Sequence, residues 1–283
     1  MHGSPDFPFA TYEQKRRTGE PVLDNHWHDE AEFLWMTEGQ AVFQIGLSEY
    51  ELSRGEAIFV PGGAIHGGHS MQGASCAYRA IVFQPEWLGD SGDGIGAGFM
   101  NPLQRGEAAI PTVYDGSETW GMATLDRLEK LYAIRESGDP AMALRIKAEL
   151  CLLFADLIGS GRWAPQASAA MAHHSSSEQM KAVVAYIESH FAQPLTVTEL
   201  SRVAGMSEGH FGRVFKSFMR KTPMEYVNHY RMRQAAEMLS GGNLSVGQVS
   251  LEVGLPNFSY FCKAFRTKYG RSPSEFRKKF RSL

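Results

Sequence analysis

The sequence repeats itself in Thr196-Val-Thr-Glu-Leu-Ser-Arg-Val-Ala-Gly-Met206 and Ser245-Val-Gly-Gln-Val-Ser-Leu-Glu-Val-Gly-Leu255. Each copy opens with Thr or Ser, residue types that cap the first turn of a helix. Apolar residues then recur at helical spacing, and each copy stops at a glycine, Gly205 or Gly254. A glycine at that place supplies the left-handed turn between two helices. The repeat therefore predicts two helix-turn-helix units.

A second helix follows in both copies. Aromatic residues at helical spacing predict a buried face in each of these helices, and they are Phe211, Phe215 and Phe218 in the first copy and Phe261, Phe265 and Tyr269 in the second. Thr222-Pro223 and Ser272-Pro273, fifty residues apart, each start another helix, because proline is favoured at the first helical position. One helix over Pro223–Leu239 therefore joins the two units.

The charge of the chain is divided unevenly. Residues 178–283 contain 16 Lys and Arg against 8 Asp and Glu, a net charge of +8. The rest of the chain contains 12 basic and 23 acidic residues, a net charge of −11. A basic domain joined to an acidic one indicates that the basic domain binds a polyanion. Helix-turn-helix units in that domain indicate double-stranded DNA.

The second helix of such a unit enters the major groove, so its outward residues are the candidates for DNA contact. Residues at its start suit base edges, and basic residues farther along suit phosphates. The candidates are Ser207, Glu208, His210, Arg213 and Lys216 in the first unit, and Asn257, Phe258, Ser259, Tyr260, Lys263 and Arg266 in the second.

The segment from Val253 to Arg277, with Gly-Leu-Pro-Asn-Phe-Ser-Tyr-Phe and Gly-Arg-Ser-Pro-Ser-Glu-Phe, closely resembles the signature of the AraC/XylS family of bacterial regulators. The resemblance covers residues 178–283 and implies a transcription regulator, usually an activator, that binds promoter DNA and contacts RNA polymerase. Gly209 and Gly212 depart from the family, whose members often have larger base-reading side chains there. The first unit is therefore expected either to read fewer bases than the second or to rely on Arg213 and backbone contacts.

The first part of the chain has a different pattern. Short apolar runs at 32–36, 41–45, 57–60 and 77–83 alternate with glycine-containing turns, which is typical of a β-barrel or sandwich. Two amphipathic helices are predicted at 119–135 and 141–158, either to cap the barrel or to form the seam of a homodimer. The fold class is thus α+β, with an effector and dimerisation domain at 1–160, a linker at 161–177 and the DNA-binding domain at 178–283.

Four polar residues stand out in the predicted barrel. His26, His28 and Glu32 have the same parity and would share one face of an unbroken strand, and His66 follows Pro61-Gly62-Gly63. Both segments resemble the two motifs of the cupin superfamily, although Glu20 and Ser70 replace the usual Gly and Asn. The resemblance implies that these four residues line an effector pocket or bind a divalent metal ion such as Zn, Fe, Mn, Ni or Cu. A purely structural role is the third alternative.

Other features of the sequence narrow the class of protein. The three cysteines, Cys76, Cys151 and Cys262, form no Cys-x-x-Cys pair, so neither a disulfide framework nor a thiolate zinc site is expected. Neither a secretion signal nor a membrane-spanning run is apparent, which predicts a cytoplasmic protein. A non-enzymatic regulator is the leading hypothesis. The alternative is a cupin metalloenzyme, an isomerase or dioxygenase, with an accessory DNA-binding module.

Overall fold

The computed structural model describes residues 2–4, 6–18, 20–89, 92–165, 170–241 and 243–281. The chain divides into two units, Met1–His174 and Ser175–Leu283. The first unit contains the strands and the second is helical, as the α+β prediction requires.

The strands of the first unit form two main antiparallel sheets. The five-stranded sheet has the order β1-β8-β3-β6-β10 and the four-stranded sheet the order β2-β7-β4-β5, and β9 pairs with β11. The strands are β1 Phe9–Arg16, β2 Leu23–His26, β3 Ala31–Glu38, β4 Gln40–Ile45, β5 Ser48–Ser53, β6 Ala57–Val60, β7 His66–Ser70, β8 Cys76–Phe83, β9 Ala108–Ala109, β10 Val113–Tyr114 and β11 Ala164–Pro165. Each of the four predicted strands lies within an observed one.

Strand β3 contributes to two cores because its side chains alternate between the faces of the sheet. Leu34 and Met36 pack between the two sheets, against residues such as Phe43 and Tyr78. Phe33 and Trp35 point the other way and pack under the helices of this unit. Apolar side chains that alternate in this way fix the register of the strand, because a slip of one residue would exchange the two faces.

Three α-helices lie wholly within the described part of the first unit: α1 Asn101–Gln104, α2 Thr119–Glu136 and α3 Met142–Gly159. The last two confirm the predicted pair within one residue at each end. The buried face of α3, however, consists of Ile146, Leu150, Leu153, Phe154 and Leu157. A second apolar stripe, which includes Leu144 and Leu152, is exposed on another face of this helix. This helix has apolar residues on two faces, so periodicity alone did not identify the buried one.

Helix α4, Ala170–His190, begins before the boundary between the two units and continues into the second. The second unit also contains α5 Val197–Val203, α6 Glu208–Met219, α7 Pro223–Gly241, α8 Val246–Glu252, α9 Phe258–Tyr269 and α10 Pro273–Arg281. The predicted linker at 161–177 differs from the structure, because β11 and the start of α4 fall inside it. The alanines at 170 and 172 favour a helix even without an amphipathic pattern. Among the described residues, the helices are too short or too polar to span a lipid bilayer.

The two helix-turn-helix units have the same construction. The side chains of Thr196 and Ser245 accept hydrogen bonds from the backbone N–H groups of Glu199 and Gln248 and so cap α5 and α8. Gly205 and Gly254 follow with φ of 65° and 72°, the left-handed conformation that glycine adopts at least cost. Gly254 also approaches Ala192 so closely that a Cβ there would lie 2.4 Å from the carbonyl oxygen of Ala192.

Helix α7 joins the two helix-turn-helix units and packs into the second of them. Its residues Met232, Ala235 and Leu239 share a core with α8 and α9. Arg231 is buried in the same helix, where its guanidinium donates to the carbonyl oxygens of Phe191 and Gln193 at 2.8 Å each. These bonds attach the turn that follows α4 to the connecting helix, so α7 is held from both sides.

Candidate effector pocket and nucleic-acid interface

The four polar residues of the predicted barrel converge, although His26, His28 and Glu32 do not share one strand as expected. His26 is paired with His66 in the antiparallel β2–β7 ladder of the four-stranded sheet. Glu32 lies on β3 of the five-stranded sheet, and His28 lies between β2 and β3. The expectation of one unbroken strand is therefore wrong, because the chain leaves the four-stranded sheet after His26 and enters the five-stranded sheet at Ala31. The convergence comes from two sheets that face each other.

The cluster is tight and mostly buried. His26, His28 and His66 each contribute one ring nitrogen to the cluster, and these three nitrogens lie within 4.8 Å of one another. Oε2 of Glu32 lies 3.3 Å from Nε2 of His28 and 3.0 Å from Nε2 of His66. The side chains of Glu32 and His66 are 7% and 2% exposed. The two sheets thus bring three imidazoles and one carboxylate to one buried point.

All three histidines are oriented by the backbone in the same way. Nδ1 of each ring bonds the carbonyl oxygen two residues earlier or later: Asp24 for His26, Glu30 for His28 and Ala64 for His66. Since a carbonyl oxygen only accepts, Nδ1 must be the donor in each ring. The Nε2 atoms are therefore the ones left to face the cluster. Such backbone bonds fix the tautomer and orientation of metal-binding histidines.

The charge states within the cluster follow from burial and hydrogen bonding. Burial alone would raise the pKa of Glu32, but its contacts with His28 and His66 lower it to about 2. Burial and the neighbouring His66 lower the pKa of His26 to about 4. Burial alone would lower the pKa of His28, but the hydrogen bond and the charge of Glu32 outweigh burial and raise this pKa. The cluster therefore holds an ionised carboxylate beside a neutral His26.

Sequence reasoning missed a second group of polar residues beside the histidine cluster. The backbone N–H of His2 donates to Oε1 of Glu30 at 2.8 Å, and its ring bonds the hydroxyl of Tyr12 at 2.7 Å. The ring of His2 also meets that of His28, with 4.8 Å between centroids. Glu30 is 3% exposed. No local pattern connects His2 with Glu30, since these residues are 28 positions apart and meet only in the fold.

The second candidate site lies on the two helices α6 and α9. Every residue predicted to contact DNA is exposed, from Ser207 to Lys216 on the first helix and from Asn257 to Arg266 on the second. The opposite faces are buried through Phe211 and Phe215, and through Phe261 and Phe265. The fold therefore separates the packing face from the charged face on both helices, as the sequence pattern predicts.

Some of these exposed residues already have partners within the chain. Oδ1 of Asn257 accepts the backbone N–H of Tyr260 at 3.0 Å and caps α9. Oε1 of Glu208 accepts the hydroxyl of Thr198 at 2.6 Å and ties α6 to α5. Phe258 and Tyr260 are about half exposed at the start of α9, whereas α6 carries Gly209 and Gly212 on its first turns. Helix α9 therefore presents larger exposed side chains at its start than α6 does.

Comparisons with known proteins agree with this two-part organisation. Residues 14–154 match the AraC-like ligand binding domain, and residues 200–279 match a helix-turn-helix domain. The uncharacterized HTH-type transcriptional regulator YdeC of Bacillus subtilis is 23% identical over 98% of this chain and 94% of that protein. The MmsAB operon regulatory protein of Pseudomonas aeruginosa is 24% identical over 94% of this chain and 81% of that protein.

Among solved structures, ToxT from Vibrio cholerae is 13% identical, with a TM-score of 0.46 over 95% of this chain and 98% of that one. The relatives are transcription regulators, which gives no support to the alternative of a cupin metalloenzyme. With a ligand-binding domain of AraC type followed by two helix-turn-helix units, the chain belongs to the AraC family of DNA-binding transcription regulators.

Proposed function

We propose that this regulator inserts α6 and α9 into successive major grooves of promoter DNA, under the control of an effector bound by His26, His28, Glu32 and His66. The observation that carries the DNA part is the matched exposure of the predicted contact residues on both helices. Helix α7 has 19 residues and so spans about 28 Å. That length is close to the roughly 34 Å between successive major grooves.

The side chains on the two helices have different proposed roles. Arg213 and Lys263, which occupy equivalent positions of the repeat, extend from the middle of each helix and suit guanine edges or phosphates. Phe258 and Tyr260 supply apolar and hydrogen-bonding contact at the start of α9, where a thymine methyl group is a fitting partner. Lys216 and Arg266, farther along, suit the phosphate backbone. Ser207, His210 and Ser259 complete the contact surface, while Glu208 and Asn257 position the helices through their internal bonds.

The effector pocket is proposed from the polarity of the cluster. Buried polar side chains in an otherwise apolar barrel provide the few directed contacts that orient a small ligand. A ligand that binds one state of the domain better than another shifts the balance between those states. We propose that this shift alters how the regulator engages DNA.

A divalent metal ion is the second candidate occupant, favoured by one specific observation. Nε2 of His66 is buried and makes no hydrogen bond, although it lies 3.0 Å from the ionised carboxylate of Glu32. Because Nδ1 of His66 donates to the carbonyl oxygen of Ala64, Nε2 is the ring nitrogen that faces Glu32, as in a metal-binding histidine. Three imidazoles and one carboxylate fit Zn, Fe, Mn, Ni or Cu. The ion would supply a Lewis-acid anchor for an effector with oxygen donors.

The remaining proposals concern partners. The exposed Leu144 and Leu152, 73% and 47% exposed on one face of α3, support a homodimer seam on this helix, because large apolar residues in a row mark interaction surfaces. We further propose that the protein acts in the cytoplasm as an activator that contacts RNA polymerase.

The experiment that tests the proposed function maps bound DNA across the genome, with and without effector candidates suggested by the neighbouring genes. The bound sites are then transcribed in vitro with purified RNA polymerase. We expect a defined set of promoters whose output changes when the effector is added to the wild-type protein and does not change with His28→Ala. Absence of any enriched promoter would refute the proposal.

A further inference from the structure

The end of α6 contains an unusual backbone conformation. Arg220 has a φ of 56°, and among the described residues it is the one non-glycine residue with a positive φ. Its N–H bonds the carbonyl oxygen of Lys216 and closes the helix in the left-handed conformation. A left-handed conformation costs a residue with a side chain about 1 kcal/mol relative to glycine.

The repeat supplies an internal comparison for this position. Fifty residues later, Gly270 closes α9 in the same way, with a φ of 71° and a bond from its N–H to the carbonyl oxygen of Arg266. Each of the two residues stands three positions before the proline that starts the next helix. The second unit therefore has the residue that relieves the strain, and the first unit retains an arginine. Retained strain of this kind points to a function for the side chain.

Arg220 is one of the residues that line an open groove with a volume of about 660 Å³. The walls of this groove come from the turn after α6, from the first half of α7 and from one face of α9. The lining residues are Arg220, Lys221, Glu225, Asn228, His229, Met232, Tyr260, Lys263, Ala264, Thr267 and Lys268. We refer to it below as the α7–α9 groove.

The α7–α9 groove is positively charged. Four of its residues are Arg or Lys, and its one carboxylate is that of Glu225. Oε2 of Glu225 already accepts the backbone N–H and the hydroxyl of Thr222, at 2.8 Å each. That carboxylate caps α7 and is directed at its own helix end. Several cations facing one open groove favour an anion with more than one charge.

The position of the groove identifies the anion. Tyr260 and Lys263 form part of its wall and belong to the exposed face of α9. Arg220 is the residue that closes α6. The groove is therefore lined by α9 and by the turn that follows α6, the two helices proposed to enter the major grooves. DNA held by both helices would run its backbone past this groove between the two contacts.

We infer that the α7–α9 groove binds the phosphodiester backbone of the DNA segment between the two major-groove contacts, with Arg220 as the central phosphate ligand. This inference rests on the proposed DNA-binding function. Lys221, Lys263 and Lys268 supply the surrounding positive charge, and Asn228 and Thr267 can donate hydrogen bonds to phosphate oxygens. The contact positions the protein on DNA and is independent of base sequence.

The test uses Arg220→Gly in the full chain, because stability and affinity should then change in opposite directions. Glycine relieves the left-handed strain, so the melting temperature should rise. Removal of a phosphate ligand should weaken binding about tenfold at low salt and lower the slope of log affinity against log salt by about one. The probe is a fluorescent duplex selected from a random library by the wild-type protein, measured by anisotropy across a salt series.

Two further variants separate the side chain from the backbone. Arg220→Asn tolerates the left-handed conformation but lacks the charge, and it should lose affinity like Arg220→Gly. Arg220→Lys should keep the salt slope. The control is Arg233→Ala. Arg233 lies on α7, which also lines the groove, but its Nη2 faces Oε1 of Glu188 at 3.8 Å. It should change affinity less than twofold.

The outcomes are distinguishable from failure of the proposed function. If the wild-type protein selects no duplex, the proposed function is wrong. If it selects one and Arg220→Gly and Arg220→Asn bind it with wild-type affinity and salt slope, the groove does not hold the DNA backbone. Titration of the full chain with inorganic phosphate gives the other check. Saturable micromolar binding that Arg220→Gly abolishes without loss of DNA affinity would reassign the groove to a small anion and overturn the inference.

Discussion

Nε2 of His66 and Oε2 of Glu32 face each other at 3.0 Å across the two sheets of the barrel, and the nitrogen makes no hydrogen bond. His66 is held by its Nδ1 bond to Ala64 at 2.8 Å, so the ring cannot turn its donor towards the carboxylate without losing that bond. A cation between the two side chains, as proposed above, would satisfy both of them.

The first prediction concerns metal binding by this pair. Purified protein treated with chelator and titrated with Co²⁺ should bind about one ion per chain and develop the visible absorption of a low-coordinate cobalt site with nitrogen and oxygen ligands. His66→Gln and Glu32→Gln should each weaken binding at least tenfold, since both remove a ligand. Circular dichroism establishes whether each variant is folded.

His69 provides the matched control for the cobalt titration. It is exposed on the same strand, β7, as His66, so His69→Gln should bind cobalt like the wild type. If all three variants bind cobalt equally, or if the wild type binds none, the metal candidate is wrong and the pocket is left to an organic effector.

The second prediction tests the docking of the two recognition helices. Arg213→Ala and Lys263→Ala should each weaken binding to a selected promoter by about 1–3 kcal/mol if they contact bases. Both residues are exposed and lie at equivalent places on α6 and α9, so neither change should destabilise the fold. Electrophoretic mobility shift at several salt concentrations measures the effect.

Arg105→Ala is the control for these two variants. It removes the same charge from the surface of the N-terminal unit, Met1–His174, where the Arg105 side chain is 67% exposed. Its affinity for DNA should stay at the wild-type value. Unchanged binding by both Arg213→Ala and Lys263→Ala would reject the proposed docking.

The third prediction compares the two turn glycines. Gly254→Ala should lower the free energy of unfolding by about 3 kcal/mol, because the new Cβ would lie 2.4 Å from the carbonyl oxygen of Ala192 and the backbone is left-handed. Gly205 has a similar φ of 65° but nothing within 4 Å of the position of a Cβ. Gly205→Ala should therefore lose only about 1 kcal/mol.

Urea denaturation followed by circular dichroism measures both of these free energies. Equal losses in the two variants would show that the contact with Ala192 does not contribute, and that the conformation of the glycine is the whole effect.

The helix-turn-helix units could be predicted from sequence because their signals are local. Caps at Thr196 and Ser245, the glycines that end the first helices and the prolines that start the next ones all act within a few residues. The recurrence of the pattern identified corresponding positions in the two units. The structure confirms each of these elements and their exposed faces.

The pocket could be predicted only in part, because its geometry depends on contacts between distant residues. His26 and Glu32 were grouped by parity, yet they reach each other from different sheets. His2 could not be assigned to the pocket at all, since only the folded chain brings it to Glu30. The strain at Arg220 was equally hidden, because residue type alone predicts no left-handed conformation for arginine.

The fourth prediction concerns self-association through α3. Leu144, Ala148 and Leu152 recur at helical spacing and are exposed, while the opposite face of the helix fills the core through Leu150 and Phe154. Leu144→Glu combined with Leu152→Glu should convert a homodimer into a monomer in sedimentation velocity, since two charges on each chain would be buried at the seam. Melting should change little, because neither side chain contributes to the core.

Ala143→Glu is the control for this double variant, since residue 143 is exposed on α3 beside the apolar stripe. It adds one charge to the helix outside the proposed seam and should leave the dimer intact. A wild-type protein that sediments as a monomer at all concentrations, or a double variant that remains dimeric, would exclude this face of α3 as the interface. A dimer lost together with most of the DNA affinity would show that the two copies bind cooperatively, because each chain then contributes its own pair of helices to one promoter.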